Sequence, residues 1–404
     1  MSEYVRYTKA PLRGRESVLE RLDIELTERC NNNCIHCSIN LPEDDEKALS
    51  GEMKTKQIKK ILDDAVALNC MQVRFTGGEP LLRGDFEELY VYARKLGLKV
   101  LLFSNVRLVT LRLAKLFAEI PPLLPIEITV YGMSRESYEA VTGIAGSYEE
   151  FRRGVDFLLE QGVPFIVKFA VLPQNVHEIG DFEGWADSLP GMTEKPNYVI
   201  LFDLRNRHDD PVKNKQIVAL RVPPKEGAEF IARSGGDSSH ILKDFTGKYL
   251  GPPGDLLFRC SAGRVICVDA YGSVQPCMGL RMPDLTVKLS CLKNGKLEGI
   301  CEKAGVSIGD AIDLFSKGGE DMLPLKSLRA KDPEYLKRCA RCFLKGLCEQ
   351  CPAKSWAEHG TLDTPVDYLC EITHERALLM GLLKENEKAW SVHDWEERVK
   401  DFIR

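Results

Sequence analysis

The chain has 404 residues, with 55 Lys and Arg against 60 Asp and Glu, a net charge of −5 and 44% hydrophobic residues. That length buries a large core and predicts more than one domain, while the mildly acidic balance offers no electrostatic footprint for nucleic acid. The opening MSEYVRYTKAPLRGRES is polar and basic with no apolar core behind it, and no unbroken apolar run reaches bilayer length, so neither a signal peptide nor a membrane span is expected and the protein is read as cytoplasmic.

From Arg21 onward strands and helices alternate. RLDIELTE (21–28) places Leu22, Ile24 and Leu26 at every second position, which is a strand period. KTKQIKKILDDAVALN then carries Ile58, Ile61, Leu62 and Ala65 at helical spacing. The rhythm continues through MQVRFT and GDFEELYVYARKLG, whose Gly97 stands where a helix C-cap is expected. KVLLFS and LRLAKLFAEI follow, then IEITVYG, SRESYEAVTG and SYEEFRRGVDFLLEQG, then FIVKFAVLP and HEIGDFEGWADSL, and finally NYVILFDL. About six such units imply an α/β fold of parallel strands joined by right-handed crossovers. A parallel αβ barrel, complete or partial, fits best, and it places active residues at the carboxyl ends of its strands.

The rhythm breaks after Arg205. Residues 206–256, with RHDDPVKNKQ, VPPKEG, RSGGDSS and GPPGD, read as a linker region holding one or two helices. Residues 257–372 are rich in cysteine and turns, and HERALLMGLLKENEKAWSVHDWEERVKDFIR reads as a helical, amphipathic close. The expected organisation is an N-terminal segment over 1–19, a barrel over 20–210, a linker over 211–256, a cysteine-rich domain over 257–372 and a helical segment over 373–404.

Fourteen cysteines in a reducing compartment point to metal binding or chemistry rather than disulfides. They form three groups: Cys30, Cys34 and Cys37; Cys260, Cys267 and Cys277; and Cys339, Cys342, Cys348, Cys351 and Cys370. Cys70 reads as a small buried hydrophobe, and Cys291 and Cys301 as idle thiols.

The first group, in ERCNNNCIHCS, directly follows the first strand. Thiolates spaced this way can wrap one small inorganic centre, and three cysteines on a four-iron cube leave one iron open to an outside ligand. A zinc knuckle with His36 as fourth ligand, or simply free thiols, are the alternatives. After the second strand comes RFTGGEP, in which Gly77 and Gly78 allow close approach to the backbone and Glu79 can accept from an ammonium; alone, the stretch reads as an ordinary tight turn.

Together, CNNNCIHC and GGEP resemble the radical S-adenosylmethionine (SAM) superfamily, over roughly residues 20–210. The resemblance implies a partial (β/α)6 barrel in which Cys30, Cys34 and Cys37 hold a [4Fe–4S] cluster whose open iron chelates SAM. It places His36 near the adenine, where it reads equally as a packing residue of the loop. It sets Gly77, Gly78 and Glu79 against the methionyl amino group and Thr129 near the ribose, although Thr129 reads equally as a β-branched strand residue. Ser104 and Asn105, ending the third strand, are further cofactor candidates. Lys168 and Asn175 face either the cofactor or solvent, and Asp203 and Arg205 either meet substrate or form an ion pair at the barrel rim.

The later cysteines, with AYGSVQPC and CARCFLKGLCEQC, resemble the SPASM extension of some radical SAM enzymes, a cysteine-rich iron–sulfur domain with two auxiliary [4Fe–4S] clusters. The resemblance implies one cluster on Cys260, Cys267, Cys277 and Cys351 and another on Cys339, Cys342, Cys348 and Cys370, making three clusters in all; a pair of zinc sites is the alternative. One departure is that only Glu349 and Gln350 separate Cys348 from Cys351, where the family often has three residues.

The activity implied is reductive cleavage of SAM, hydrogen abstraction by the 5′-deoxyadenosyl radical and net oxidation of a substrate, with auxiliary clusters accepting an electron. The leading expectation is a peptide-modifying maturase forming a crosslink or oxidising a residue, supplied with electrons by flavodoxin or ferredoxin. A winged-helix leader-binding domain is not expected, since the first strand starts at Arg21, so either a separate protein presents the peptide or the barrel mouth and residues 206–256 recognise it. Rival expectations are biosynthesis of a tetrapyrrole or redox cofactor, and a non-enzymatic iron–sulfur or zinc scaffold. Sulfatase maturation ranks lower, because Met278 stands where that group has an Asp after the cysteine matching Cys277.

Overall fold

Strand β1 (Arg21–Thr27) is buried on both faces, with Leu22, Ile24 and Leu26 on one side and Asp23, Glu25 and Thr27 on the other, none of the six above 2% exposed. A strand covered on both sides belongs to the middle of a parallel sheet. In this computed structural model it pairs in parallel with β2 (Gln72–Gly77), Ile24 opposite Phe75. β2 pairs with β3 (Lys99–Ser104), Phe75 opposite Leu102, and β3 pairs with β4 (Ile126–Val130), Ser104 opposite Ile128. β5 (Phe165–Ala170) lies beyond β4.

The structure describes residues 19–39, 41–192, 195–205, 209–233, 251–289, 292–293, 296–297, 307–319 and 323–400. They fall into two units, Met1–Val167 with Ser261–Leu325, and Lys168–Cys260 with Lys326–Arg404, so the boundary cuts β5.

In the first unit the crossovers are α1 (Thr55–Ala67), α2 (Phe86–Lys95), α3 (Leu111–Glu119), and the pair α4 (Arg135–Thr142) and α5 (Ser147–Glu160). α1 buries Ile58, Ile61, Leu62 and Ala65, the residues its period predicted. Gly97 takes φ 83° just beyond the cap of α2, a left-handed turn that favours glycine. The sheet also extends past β1 on its other edge. β7 (Val265–Val268) runs parallel to β1 with Cys267 opposite Asp23, and β8 (Ser273–Gln275) and β9 (Val287–Lys288) add antiparallel strands. A segment of the cysteine-rich region therefore completes the sheet of the first unit, which the strand–helix rhythm did not reveal.

In the second unit the end of β5 pairs in parallel with β6 (Asn197–Val199), a shorter strand than NYVILFDL suggested. α6 (Ile179–Asp187) follows β5, and the region after Arg205 holds two helices, α7 (Pro211–Ala219) and α8 (Pro224–Arg233), as expected. α9 (Pro352–His359) and α10 (Asp367–Leu379) carry the later cysteines. The expected helical close is corrected. α10 stops at Leu379, Gly381 takes φ 72°, and beyond it only the short turns Ala389–Ser391 and Trp395–Arg398 are helical among the described residues. The apolar run LLMGLL is a helix end and its return: the Leu382 N–H bonds back to the Ala377 carbonyl at 2.8 Å, and Leu382 and Leu383 bury against Phe343, Leu344 and Leu347.

Candidate functional site

The carboxyl ends of β1, β2 and β3 meet through backbone contacts. Gly78 N–H donates to Thr27 O at 2.7 Å and Glu79 N–H to Arg29 O at 2.9 Å. A Cβ on Gly77, which sits at φ 133°, would stand 2.1 Å from Thr27 O, and one on Gly78 would stand 2.2 Å from Arg29 O. The two glycines are thus required by the exit of β1 pressing on the turn, a cause separate from any ligand.

That crossing buries Glu79 to 1% exposure. Its Oε1 accepts from Ser104 Oγ at 2.9 Å and Leu81 N at 3.0 Å, and its Oε2 accepts from Asn105 N at 2.8 Å. Burial pushes the carboxyl up to about 7 against the pull of these bonds. Asn105 reaches the other way as well: its Nδ2 donates to Asn31 Oδ1 at 2.8 Å and lies 3.9 Å from Cys30 Sγ. Asn32 N–H points to the same sulfur at 3.4 Å. Burial first, then the nearby Glu79 charge, push the Cys30 thiol up to about 12. The Cys37 N–H bonds to Cys34 O at 3.1 Å, closing the loop into a turn that Asn33 and Ile35 pin to the end of α4.

Arg107, which the sequence reading passed over, is 8% exposed and holds this loop from below β3's end. It donates to Asn31 O, to Asn32 Oδ1 at 2.6 Å and, through Nε, to Glu150 Oε2 at 2.8 Å. Its signal was its place, two residues past Asn105. His36 is half-buried with its ring 5.5 Å from that of Tyr131, and Tyr131 packs edge-on to the fully buried Tyr138. Thr129 is half-buried on β4.

Elsewhere in the first unit Cys70 is buried and donates to Gln72 O at 3.1 Å, the packing role expected of it. Cys267 is fully buried on β7, and Cys277 is half-buried after β8. Met278 Sδ lies 2.9 Å from Arg74 Nη1. Arg281, paired with Glu25, is buried with Nε and Nη1 lacking partners among the described residues. Cys291 and Cys301 lie outside the described residues.

In the second unit Cys339, Cys342, Cys348 and Cys370 line one cavity, with Arg338, Lys345, Gln350, His374 and Trp390. Burial raises the thiols of Cys339, Cys342 and Cys370. Gln350, in the short spacer before Cys351, is built in: its N–H points to Cys348 Sγ at 3.4 Å, its Nε2 donates to Ser355 Oγ at 2.6 Å and its Oε1 accepts from Val366 N at 3.1 Å. Cys260 is exposed, and Cys351 is half-buried just before α9. Asn175 is wholly buried, closing its own loop through Ala170 O and Leu172 N, while Lys168 is half-buried. Asp203 pairs with Lys354 at 2.7 Å and Arg205 with Asp209 at 2.5 Å. Among the described residues no three His, Cys, Asp or Glu side chains converge on one ion-sized point, and no helix is long and apolar enough to cross a membrane.

A parallel α/β sheet with a thiol-rich loop and a buried carboxylate at its strand ends is the architecture these features define. Residues 24–186 match the model of the Radical SAM superfamily, and the chain carries a radical SAM domain. That family implies a [4Fe–4S] cluster and bound SAM.

The chain is 29% identical to an Fe-coproporphyrin III synthase of Methanosarcina barkeri over 154 residues, 38% of this chain and 37% of that protein. It thus spans well under half the length of that relative. It is 28% identical to an AdoMet-dependent heme synthase of the same organism over 377 residues, 86% of this chain and 93% of that protein. With mycofactocin maturase MftC of Mycolicibacterium smegmatis it shares 30% over 264 residues, 63% and 62% of the two chains. Among solved structures it is similar to anSMEcpe with bound AdoMet (TM-score 0.57, 17% identity, 89% of this chain and 97% of that one). It is also similar to Streptococcus suis SuiB bound to precursor peptide SuiA (TM-score 0.52, 14% identity, 86% and 74%). These likenesses give the fold: the α/β architecture with a parallel-dominated sheet is that of a partial barrel, followed by a cysteine-rich region.

Proposed function

We propose that the chain is a radical SAM enzyme that oxidatively modifies a peptide, with Cys30, Cys34 and Cys37 holding the SAM-binding cluster and Glu79 receiving the SAM ammonium. The observation that carries this is Asn105, whose N–H fixes Glu79 and whose side chain lies against Cys30, so one residue sets the carboxylate and the thiol in a common frame. The donor set fits the group. Three thiols leave one iron open, and Glu79 is a buried carboxylate pushed up to about 7, which an ammonium would return to its charged form. Cube ligands each reach a different corner, so they need not converge on a single point.

When bound, the cluster and SAM supply a carbon radical able to take a hydrogen atom from an unactivated C–H bond. The chain's own residues hold and exclude. Ser104 and Leu81 orient the Glu79 carboxylate, Arg107 and Asn31 fix the cysteine loop, and His36 with Tyr131 forms an aromatic wall beside it. Cys339, Cys342, Cys348 and Cys370, which line one cavity, form a complete set for a closed auxiliary cluster suited to electron transfer. Flavodoxin or ferredoxin would supply electrons, and a separate protein could present the peptide.

The likeness to the maturase MftC, and to SuiB, which is seen bound to precursor peptide SuiA, supports a peptide substrate. A second reading, oxidation of a tetrapyrrole side chain, is favoured by the heme synthase relative, because that match runs through 93% of the relative's length. Anaerobic incubation with SAM and dithionite tests the chemistry: 5′-deoxyadenosine must form. Mass spectrometry then separates the substrates. Loss of two hydrogens from a co-expressed peptide supports the first reading, and conversion of an iron porphyrin bearing propionates supports the second.

A further inference from the structure

Around the four thiols of the second unit the donors are unequal. The Gln350 N–H toward Cys348 is a neutral backbone group. His374 Nδ1 lies 3.7 Å from Cys370 Sγ, but it donates to Cys370 O at 2.8 Å while Nε2 accepts from Ala389 N at 3.2 Å. Those two bonds fix the Nδ1–H tautomer, and the ring is neutral. Lys345 Nζ is held by the Gln350 carbonyl.

Arg338 differs from all of these. It precedes Cys339, lines the same cavity and is a charge that cannot be removed. Asp367, three residues before Cys370 on α10, anchors its Nη2 at 2.8 Å, and Trp390 lies under the guanidinium at 5.1 Å. Its Nε is buried with no hydrogen-bond partner among the described residues. Asp367 is 72% exposed against 18% for Arg338, so water screens the carboxylate far more than the guanidinium, and the pair leaves net positive character at the thiols. Asp367 and Cys370 stand one turn apart on α10 and Arg338 lines the same cavity as Cys370, so the anchor that holds Nη2 also keeps the guanidinium beside the Cys370 thiol.

We propose that Arg338 raises the reduction potential of the cluster held by Cys339, Cys342, Cys348 and Cys370, through its charge and its N–H donation to the Cys370 sulfur. This rests on the reading that the four thiols hold a cluster. Reduction adds one electron, spread over irons and sulfurs. A nearby cation and a donor to sulfur stabilise the electron-rich state more than the oxidised one, so the couple shifts upward. A raised potential makes this cluster a sink for an electron arriving from an oxidised substrate.

The test is an EPR-monitored redox titration of the full chain, reconstituted anaerobically, as wild type, R338M, R338Q, R338K and C339A/C342A. The midpoint that disappears in C339A/C342A, together with about four irons, belongs to this cluster. R338M is expected to move that midpoint down by roughly tenfold in the one-electron equilibrium, about 59 mV, with iron content and the other midpoints unchanged. R338K, which keeps the charge and loses the fork, should fall between. If R338M does not retain iron, R338Q, which removes the charge and keeps a polar side chain, decides, and a wild-type midpoint there overturns the proposal. Unmoved midpoints in R338M and R338K, with iron lost from C339A/C342A, overturn the tuning role alone. Full iron in C339A/C342A overturns the cluster reading and the tuning role together.

Discussion

Replacing Glu79 by Gln preserves shape and removes charge, and the structure says what each loss costs. Oε1 accepts two donors, Ser104 Oγ and Leu81 N, and Oε2 accepts one, Asn105 N. A Gln amide fits best with its oxygen at the Oε1 position, which turns its NH₂ against the Asn105 N–H. One buried donor is then orphaned, at about 1–3 kcal/mol. In SAM binding, a charge-assisted bond of about 1.5–3 kcal/mol is lost, so E79Q should bind SAM roughly 10- to 150-fold more weakly at pH 8.

The pH dependence is sharper still. The carboxyl is pushed up to about 7, chiefly by burial, and only its ionised form pairs with an ammonium. Wild-type affinity should therefore fall roughly tenfold per pH unit below about 7, and E79Q should show no such slope. In cofactor-free protein the sign is set by the raised pKa. Glu79's contribution to stability is fully present below 4.5 and is lost as pH rises through about 7, a total of about 3 kcal/mol, and it is absent from E79Q. Anaerobic equilibrium dialysis with labelled SAM across this range, with iron content as control, checks the binding. A wild-type affinity flat across the range, or an identical slope in E79Q, would refute the assignment of Glu79 to the ammonium.

Gly77→Ala forces a Cβ to within 2.1 Å of Thr27 O at a φ that L-residues rarely adopt, and it should cost about 3 kcal/mol or more, read as a lowered denaturant midpoint or insoluble expression. Arg107→Met leaves Asn31 O and Asn32 Oδ1 without their donor and should cost about 2–3 kcal/mol, with a fall in iron retained by the Cys30 loop on reconstitution; unchanged iron and stability would remove Arg107 from the site. Ser104→Ala deletes one of three donors to Glu79 and should raise its pKa, moving the break in the SAM-binding profile to higher pH, while Ser104→Thr should restore it.

The front half of the fold was legible because its strands and helices are long and strictly periodic: α1 buries the four residues its spacing named. What the period could not show was the second face of β1. Asp23, Glu25 and Thr27, the polar alternate positions, are buried too, because the other side of the sheet holds polar partners from distant sequence, Arg281 on Glu25 among them. β7 was illegible for a related reason. RVICVDA lies in a stretch read only as rich in cysteine and turns, and nothing local says that its partner is β1, more than 230 residues earlier. In the site, cysteines and GGEP stood out by spacing, and Ser104 and Asn105 by their place at a strand end. Arg107 did not, since its one cue is its place two residues past Asn105, and a buried arginine shows itself mainly through what it holds. The C-terminal segment misled because a helix end that folds back on itself repeats apolar residues much as a helix does, and only Gly381 marks the reversal.

The site's geometry is fixed by backbone more than by side chains, and this makes it a rigid receptor. Gly78 and Glu79 bond to the exit of β1, so the turn after β2 cannot move without the segment that leads into Cys30. Asn105 ties the end of β3 to both, through its N–H to Glu79 and its amide to Asn31. Three neighbouring strands therefore present one carboxylate and one thiol at a set separation before any ligand arrives. Ordering those groups costs nothing at the moment of binding, and in the proposed reaction the same constraint would keep a radical from being misplaced. Burial to 1% exposure disfavours the charged Glu79 carboxylate, and its three donors with the nearby Arg107 charge offset that cost only in part, so its pKa stays raised. In the proposed function the SAM ammonium would offset the remainder, which makes the pH profile of SAM binding, more than the cysteines alone, the decisive test of Glu79.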